Sequence, residues 1–322
     1  MGLPVEVTIR QIQCKGVPMV VYGMQLPVQS QSTLYAEPWE AGAGPADLLA
    51  VARAADAHGF DYLASCDHVA IPRRLAGPMS TVWYDPVATL SFLAAATERV
   101  RLLAHVAVVG LRHPLVTAKA YATLDHLSGG RLVLGVGAGH VQEEFEALGV
   151  DFARRGAVLD ETLDALRAAL GPEEYPEHLG SGSPSRTWGS CPGPRRSGSR
   201  SGWAAPPRPP CAGPPSGDGW LPQGDPRDRL AAQIQKLLRL RAEAGIAEPV
   251  TVGAITEALY VGAPGWEVGR RTLSGRPEEL AASLRAYGEM GVHQIQVRFR
   301  SRSRTELIDQ MAAFGAEVAP HL

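Results

Sequence analysis

The chain has 322 residues, with 31 Lys and Arg against 33 Asp and Glu, which gives a formal net charge of −2. This length suffices for one large α/β domain, and the balanced charge gives no electrostatic basis for binding nucleic acid or a membrane surface. The four cysteines form no CxxC pair, so we expect neither a zinc site nor a disulfide framework. Without a signal peptide or a membrane-spanning apolar run, residues 1–322 are predicted to form a single cytoplasmic domain.

In chain order, segments with strand character alternate with segments whose apolar residues have helical spacing. The predicted strands cover 19–28, 60–68, 100–110, 131–139, 218–222, 249–259 and 293–299. The predicted helices cover 44–59, 85–98, 113–130, 141–148, 154–170, 226–245, 276–291 and 303–318. Asp85 is a predicted N-cap, because Pro86 follows it at a first helical position.

Strands that alternate with helices predict right-handed βαβ crossovers and a parallel sheet. We count seven strand–helix units, and the place of an eighth is taken by the unusual stretch 181–216. Eight units would close a (β/α)8 TIM barrel, whose active site lies at the C-terminal ends of the strands. A doubly wound open sheet is the alternative fold.

Polar side chains at the predicted strand ends are the candidates for chemistry. Asp67 and His68 follow the second strand, and Arg112 and His113 follow the third. His68 could donate a proton while the neighbouring Asp67 carboxylate fixes its tautomer. The alternative is a loop histidine that caps a local hydrogen bond. His105 lies within a strand, where it could equally be a core residue with its hydrogen bonds satisfied.

The motif GVGAGH (135–140) lies between a predicted strand and a predicted helix. Its bare backbone N–H groups could bind a phosphate at the helix N-terminus. It lacks the GK[ST] of a Walker loop and the third glycine of GxGxxG. Alternatively, its glycines only allow the strand to turn tightly into the helix.

Several stretches together carry a more specific signal. GFDYLASCDH, YDPVATLSFLAAATERVRL, the block from LRHPLVTAKAYATLDHLSGGRLVLGVGAG to FEALGV, and GDGWLPQG resemble the luciferase-like monooxygenase superfamily. The similarity is greatest to its oxidoreductases that depend on the deazaflavin coenzyme F420. It covers the chain from about residue 19 to the end, apart from 181–216.

This resemblance implies a (β/α)8 barrel that holds F420, with FMN as the alternative cofactor. The enzyme would pass a hydride between the F420 ring and an unidentified small organic substrate. It also implies a possible homodimer. Asp67 and His68 would face the ring, with His68 the proton donor or substrate contact. His105 and Val106 would lie behind the ring, where the family often has a bulge with a non-prolyl cis peptide and the sequence Thr-Gly-Val. The residues that would approach the ribityl and phosphate part are Gly137, Ala138, Gly139 and His140.

The stretch 181–216 contains no Asp, Glu, Lys, Val, Ile, Leu, Phe, Tyr or Met, a composition that predicts disorder. At this point of the chain the family carries a strand similar to PVWVGGSSP. If the reading frame is shifted by one base, the codons of residues 200–205 could encode Pro-Val-Trp-Val-Gly-Gly. We therefore hypothesise two compensating frameshifts, near 179–181 and 216–217, which resequencing the gene would test. The alternatives are an inactive product of a frameshifted gene and a proline-rich interaction segment.

Overall fold

The computed structural model describes residues 20–33, 35–171, 219–223 and 226–322. Within these ranges the strands β1 to β8 are Val21–Gln25, Tyr62–Ser65, Arg101–Ala107, Leu132–Val136, Gly219–Trp220, Thr251–Val261, Thr272–Gly275 and Gln294–Phe299. The α-helices α1 to α9 are Pro45–Ala57, Ala76–Met79, Pro86–Ala94, Pro114–Leu127, Gln142–Ala147, Arg155–Ala169, Arg227–Glu243, Pro277–Glu289 and Arg304–Ala313.

All strand pairs in the sheet are parallel, and the strand order is β4-β3-β2-β1-β8-β6-β5, with β7 paired to β6. The first strand pairs with both the second and the last, which a barrel requires and a doubly wound open sheet does not show. The two ends of this order, β4 and β5, flank residues 172–218 in the chain. The predictions for 181–216 therefore lie outside the described residues.

The barrel strands alternate between an outer and an inner apolar face because successive side chains point to opposite sides of a strand. Along β3, Leu102 and Ala104 join the large cluster that packs against the helices. Leu103 instead joins the small inner cluster with Tyr62 and Val133. Both faces are thus buried, as in other parallel sheets, which is why these strands read as continuous apolar runs.

The predicted N-cap of α3 is confirmed, since the Asp85 carboxylate accepts a hydrogen bond from Ala88 N at 2.9 Å. The predicted end of this helix at residue 98 is wrong, because α3 ends at Ala94. The Asp56 carboxylate accepts hydrogen bonds from the backbone N–H groups of Glu98, Arg99 and Val100, and these bonds hold a turn before β3. The predicted end of the last helix at residue 318 is also wrong, because α9 ends at Ala313 and a π-helical turn follows.

Strand β7 is an element that the sequence did not predict. Thr272–Gly275 pairs in parallel with the C-terminal part of β6, from Ala258 to Val261. The strand has four residues, none of them fully buried, and glycine ends it. Such a short edge strand leaves little periodic signal.

Among the described residues no helix is long and apolar enough to cross a membrane.

Candidate active site

The C-terminal end of β2 places His68 against helix α5. The His68 Nδ1 lies 2.9 Å from Glu144 Oε2, and the two side chains are only 10% and 3% exposed. A carboxylate can only accept a hydrogen bond, so Nδ1 carries the proton that is donated to Glu144. In a neutral ring Nε2 then keeps its lone pair, and no hydrogen-bond partner for it occurs among the described residues. His68 thus has one nitrogen fixed and one available for proton transfer.

Glu144 also holds the loop that follows His68. Its Oε1 accepts hydrogen bonds from the backbone N–H groups of Val69 at 2.7 Å and Ala70 at 3.1 Å. Burial raises the pKa of this carboxyl, but the hydrogen bonds from His68, Ala70 and Val69 outweigh burial, and the net pKa is below its usual value of 4.5. Glu144 is therefore the ionised partner that orients His68.

Two aromatic rings lie around His68. Trp83 meets it edge-on with ring centroids 4.4 Å apart, and His140 does so at 5.5 Å. His140 is exposed as a whole residue. Desolvation of its ring and the nearby His68 nevertheless lower the pKa of His140, while Glu144 acts in the opposite direction. The structure thus brings the predicted residues His68 and His140 together at one side of the barrel mouth.

Asp67 does not partner His68, which corrects the sequence-based hypothesis. Its carboxylate accepts two hydrogen bonds from Arg112, at 2.5 Å to Oδ2 and 2.8 Å to Oδ1. The backbone N–H of Val108 donates a third at 3.0 Å. The Asp67 side chain is 1% exposed, and alternation along the chain turns it away from its neighbour. Asp67 therefore ties the end of β2 to the segment after β3.

The predicted bulge and non-prolyl cis peptide in β3 are present. The peptide bond between His105 and Val106 is cis, and the register with β4 shifts between Ala104 and Ala107. The His105 side chain is fully buried, and its Nε2 lies 3.3 Å from the carbonyl oxygen of Leu221, which follows β5. Its Nδ1 is buried, and no hydrogen-bond partner for it lies among the residues that the structure describes. His105 is therefore only half satisfied as a core residue.

Two glycines after β4 are required by packing. A Cβ on Gly137 would lie 2.7 Å from Val106 Cγ2, and one on Gly139 would lie 2.7 Å from the Phe145 ring. Gly139 also has a φ of +77°, which favours glycine. The Gly137 N–H donates to Ala107 O at 3.1 Å. The tight-turn explanation of GVGAGH therefore accounts for both glycines without a ligand.

The backbone N–H groups beside these glycines are available. Within the described part of the chain, the backbone N–H groups of Ala138, Gly139 and His140 donate to no acceptor. Consecutive free N–H groups fit an anionic group such as a phosphate. In the same part of the chain no group of three or more His, Cys, Asp or Glu side chains could hold a metal ion.

The family now follows from a direct match. Residues 21–263 match the model of the family described as luciferase-like monooxygenase. The chain belongs to this family. Its relatives include an uncharacterized protein of Mycobacterium tuberculosis (strain ATCC 25618 / H37Rv), 38% identical over 139 residues that cover 39% of this chain and 49% of the relative. The chain thus spans about half the length of such a relative.

A further relative is named F420-dependent glucose-6-phosphate dehydrogenase, from Nocardia farcinica (strain IFM 10152). It is 33% identical over 132 residues, which cover 39% of this chain and 38% of the relative. Another protein of the same name, from Nakamurella multipartita, is 40% identical over 104 residues, which cover 31% of this chain and 29% of the relative. Luciferase-like relatives of this chain thus include F420-dependent oxidoreductases.

Solved structures of the luciferase-like family share the fold. The monooxygenase RslO1 from Streptomyces bottropensis has a TM-score of 0.74 at 21% identity, with 94% of this chain and 99% of that chain covered. The coenzyme F420-dependent tetrahydromethanopterin reductase from Methanopyrus kandleri has a TM-score of 0.68 at 18% identity, with the same coverage. An FMN complex of a type II Baeyer-Villiger monooxygenase from Pseudomonas putida has a TM-score of 0.73 at 13% identity, with 94% and 98% covered. The predicted (β/α)8 barrel class is confirmed.

The luciferase-like barrel of this chain contains site residues that the sequence did not single out. Glu144 is the first, and the only available signal was its position shortly after GVGAGH. A polar cluster inside the barrel mouth is the second: Cys66 Sγ accepts hydrogen bonds from the side-chain amides of Gln29 at 3.0 Å and Gln25 at 3.3 Å. Burial raises the pKa of Cys66 to about 11, so it is a thiol at neutral pH.

Proposed function

We propose that this luciferase-like protein is an oxidoreductase that transfers a hydride between coenzyme F420 and a small organic substrate. Relatives that carry F420 dependence in their names support this cofactor, and so does the F420-dependent structural neighbour. The observation that carries the proposal is the pair of His68 and Glu144, buried at the C-terminal end of the strands. A proton must move whenever a hydride converts a carbonyl group to an alcohol or the reverse, and His68 is built to move it.

The chain's own residues have separable tasks. Bound F420 would supply or accept the hydride at its ring. Glu144 keeps the proton on Nδ1 of His68, so that Nε2 takes up or gives the proton at the substrate. The N–H groups of Ala138, Gly139 and His140 would hold the cofactor's phosphate. Trp83 packs against one edge of the His68 ring and would help to hold it in place.

The test is the transfer of a hydride from chemically reduced F420 to a panel of ketones, aldehydes and activated alkenes, together with the reverse reaction from alcohols. We expect the visible absorbance of oxidised F420 to reappear with at least one panel member. The variant His68→Asn should lower that rate about 10²–10⁴-fold, the usual loss when a general acid is removed. Unchanged F420 binding in this variant is the control, and an unchanged rate would contradict the role of His68.

An FMN-dependent monooxygenase is the second candidate, because a structural neighbour with the same fold is described in complex with FMN. This candidate predicts that reduced FMN bound to the protein reacts with oxygen and oxygenates a substrate. The first candidate predicts that oxygen does not change the rate at which reduced F420 is consumed. Measuring both consumption rates with and without oxygen separates the two.

A further inference from the structure

A second histidine, His140, lies beside His68 and is exposed to solvent. The His68 side chain is only 10% exposed, and the two rings meet edge-on with centroids 5.5 Å apart. We propose that His140 relays protons between solvent and His68. In this role it is a positioning residue that acts through His68 and is not itself a catalytic residue. The inference rests on the proposed function, because it assumes that His68 takes up or gives a proton at the substrate.

His68 must exchange one proton with its surroundings in every turnover. When an alcohol is oxidised, its hydride leaves to the cofactor ring and its hydroxyl proton moves to Nε2 of His68, so no further oxidant is needed. Nδ1 stays protonated against Glu144, and the His68 ring then carries a positive charge. The proton on Nε2 must leave before the next alcohol can react. Reduction of a carbonyl group needs the same transfer in the opposite direction.

The contacts of His68 single out His140 for this transfer. Glu144 Oε2 lies 2.9 Å from Nδ1, so it holds the proton that does not move. Trp83 packs against the ring with centroids 4.4 Å apart, but an indole N–H cannot accept a proton. Among the described residues, the other ring in contact with His68 is that of His140, and an imidazole both accepts and donates. Between centroids 5.5 Å apart the proton passes directly or through one bridging water.

The charges around the two rings favour this role. Desolvation and the nearby His68 lower the pKa of His140, so at pH 7 the His140 ring has a nitrogen that can accept a proton. Glu144 on α5 acts on both rings and stabilises a positive charge on either. Two imidazolium ions this close repel each other, so the pair carries one positive charge at a time. The other charged side chains at neighbouring positions form pairs of their own: Glu143 with Arg74, and Asp67 with Arg112.

The test is the variant His140→Ala, which removes the ring but keeps the backbone N–H that is proposed to bind the phosphate. It is assayed at saturating F420 with the substrate that the unchanged protein turns over fastest. We expect kcat to fall about tenfold, a smaller loss than the roughly 10²–10⁴-fold expected when a general acid itself is removed. The Kd for F420 should stay within about a factor of two, since the ring is not proposed to bind the cofactor.

Chemical rescue separates proton relay from a structural role. Added imidazole should restore kcat of His140→Ala, because it supplies the missing proton carrier. Pyrazole, a ring of the same size that is too weak a base to carry the proton, should not restore it. His126→Ala is the matched control, since His126 is also exposed but lies in the last turn of α4, and its kcat should not change.

Circular dichroism and thermal unfolding verify the fold of both variants, and His140→Gln replaces His140→Ala if the latter does not fold. An unchanged kcat in the His140 variant would overturn this inference alone. A loss that imidazole does not restore, that pyrazole restores equally, or that His126→Ala shares would also overturn it. Absence of hydride transfer by the unchanged protein in either direction would overturn the inference and the proposed function together.

Discussion

His68 obtains its orientation from Glu144, a residue 76 positions away in the chain, and not from the adjacent Asp67. The difference follows from local geometry, because neighbouring residues at the end of a strand point in opposite directions. Glu143 and Glu144 are likewise chain neighbours whose side chains point to different surroundings. Glu143 is a surface partner of Arg74, whereas Glu144 is buried against His68.

Replacing Glu144 with Gln should lower kcat about tenfold or more and leave F420 binding within a factor of two. The amide keeps the size of the side chain but removes the carboxylate that accepts the Nδ1 proton of His68 and fixes its tautomer. Steady-state kinetics against pH measure the effect. Glu143→Gln is the control and should leave kcat unchanged; equal losses in both variants would contradict the role of Glu144.

The buried imidazole of His105 makes stability depend on pH in a defined direction. Its pKa falls from 6.5 to about 4 on folding, so between these values the unfolded chain binds a proton that the folded chain does not. The stabilisation is fully present above pH 6.5 and is lost as the pH falls toward 4. The loss reaches about 3 kcal/mol at 1.36 kcal/mol per pH unit.

Urea unfolding between pH 7 and pH 4 measures this loss, and His105→Phe should lose about 3 kcal/mol less than the unchanged protein over that range. Parallel pH dependences of the two proteins would contradict this expectation, because they would show that folding does not change the pKa of His105.

At the scale of elements, Arg112 connects two consecutive strand–helix units, β2–α3 and β3–α4. It binds Asp67 after β2 with two hydrogen bonds, and it lies 3.5 Å from Asp85, the N-cap of α3. Arg112 itself precedes α4. These contacts hold the loop that carries His68 in a fixed place relative to the sheet.

Arg112→Gln leaves the buried Asp67 carboxylate without its cation and should lower the free energy of unfolding by about 3 kcal/mol. Thermal and urea unfolding measure this change. The control is Arg276→Gln at the surface pair with Glu279, where the side chains are 77% and 56% exposed and little change is expected. Similar losses in both variants would contradict a special role for the Arg112 pair.

Gly139→Ala should disturb the turn between β4 and α5 more than an ordinary glycine replacement does. The new methyl group would meet Phe145 at 2.7 Å and Val108 at 2.8 Å, besides the cost of a positive φ. We expect a loss of about 2–4 kcal/mol from the two effects together. Gly149 also has a positive φ of +71°, but a Cβ there would have no atom within 4 Å. Gly149→Ala should therefore lower the free energy of unfolding by only about 1–2 kcal/mol. Equal losses would show that Phe145 moves freely.

The elements that periodicity predicts are those with long buried faces. The alternation of strands and helices, and the N-cap at Asp85, could be predicted because each rests on neighbouring residues. The pair of His68 and Glu144 could not, because it depends on how β2 and α5 meet in space. Strand β7 was missed because four half-exposed residues carry no period. The family resemblance supplied the bulge at His105, which no local pattern indicated.

At the scale of the whole molecule, the described strands form a barrel order that is open between β4 and β5. The chain segment that joins these strands, 172–218, contains the stretch for which we hypothesise a shifted reading frame. The site at His68 and Glu144 uses residues before this segment only. Variants at His68 and Glu144 therefore test the part of the barrel before this segment, and a binding measurement with the full chain tests the barrel as a whole.

The most direct measurement is a fluorescence titration of F420, and separately of FMN, with the purified full chain. We expect saturable quenching by a stoichiometric site and a lower Kd for F420 than for FMN. The control is the same titration with heat-unfolded protein, which should not quench. Tighter binding of FMN, or no binding of F420 by the folded chain, would contradict the proposed function.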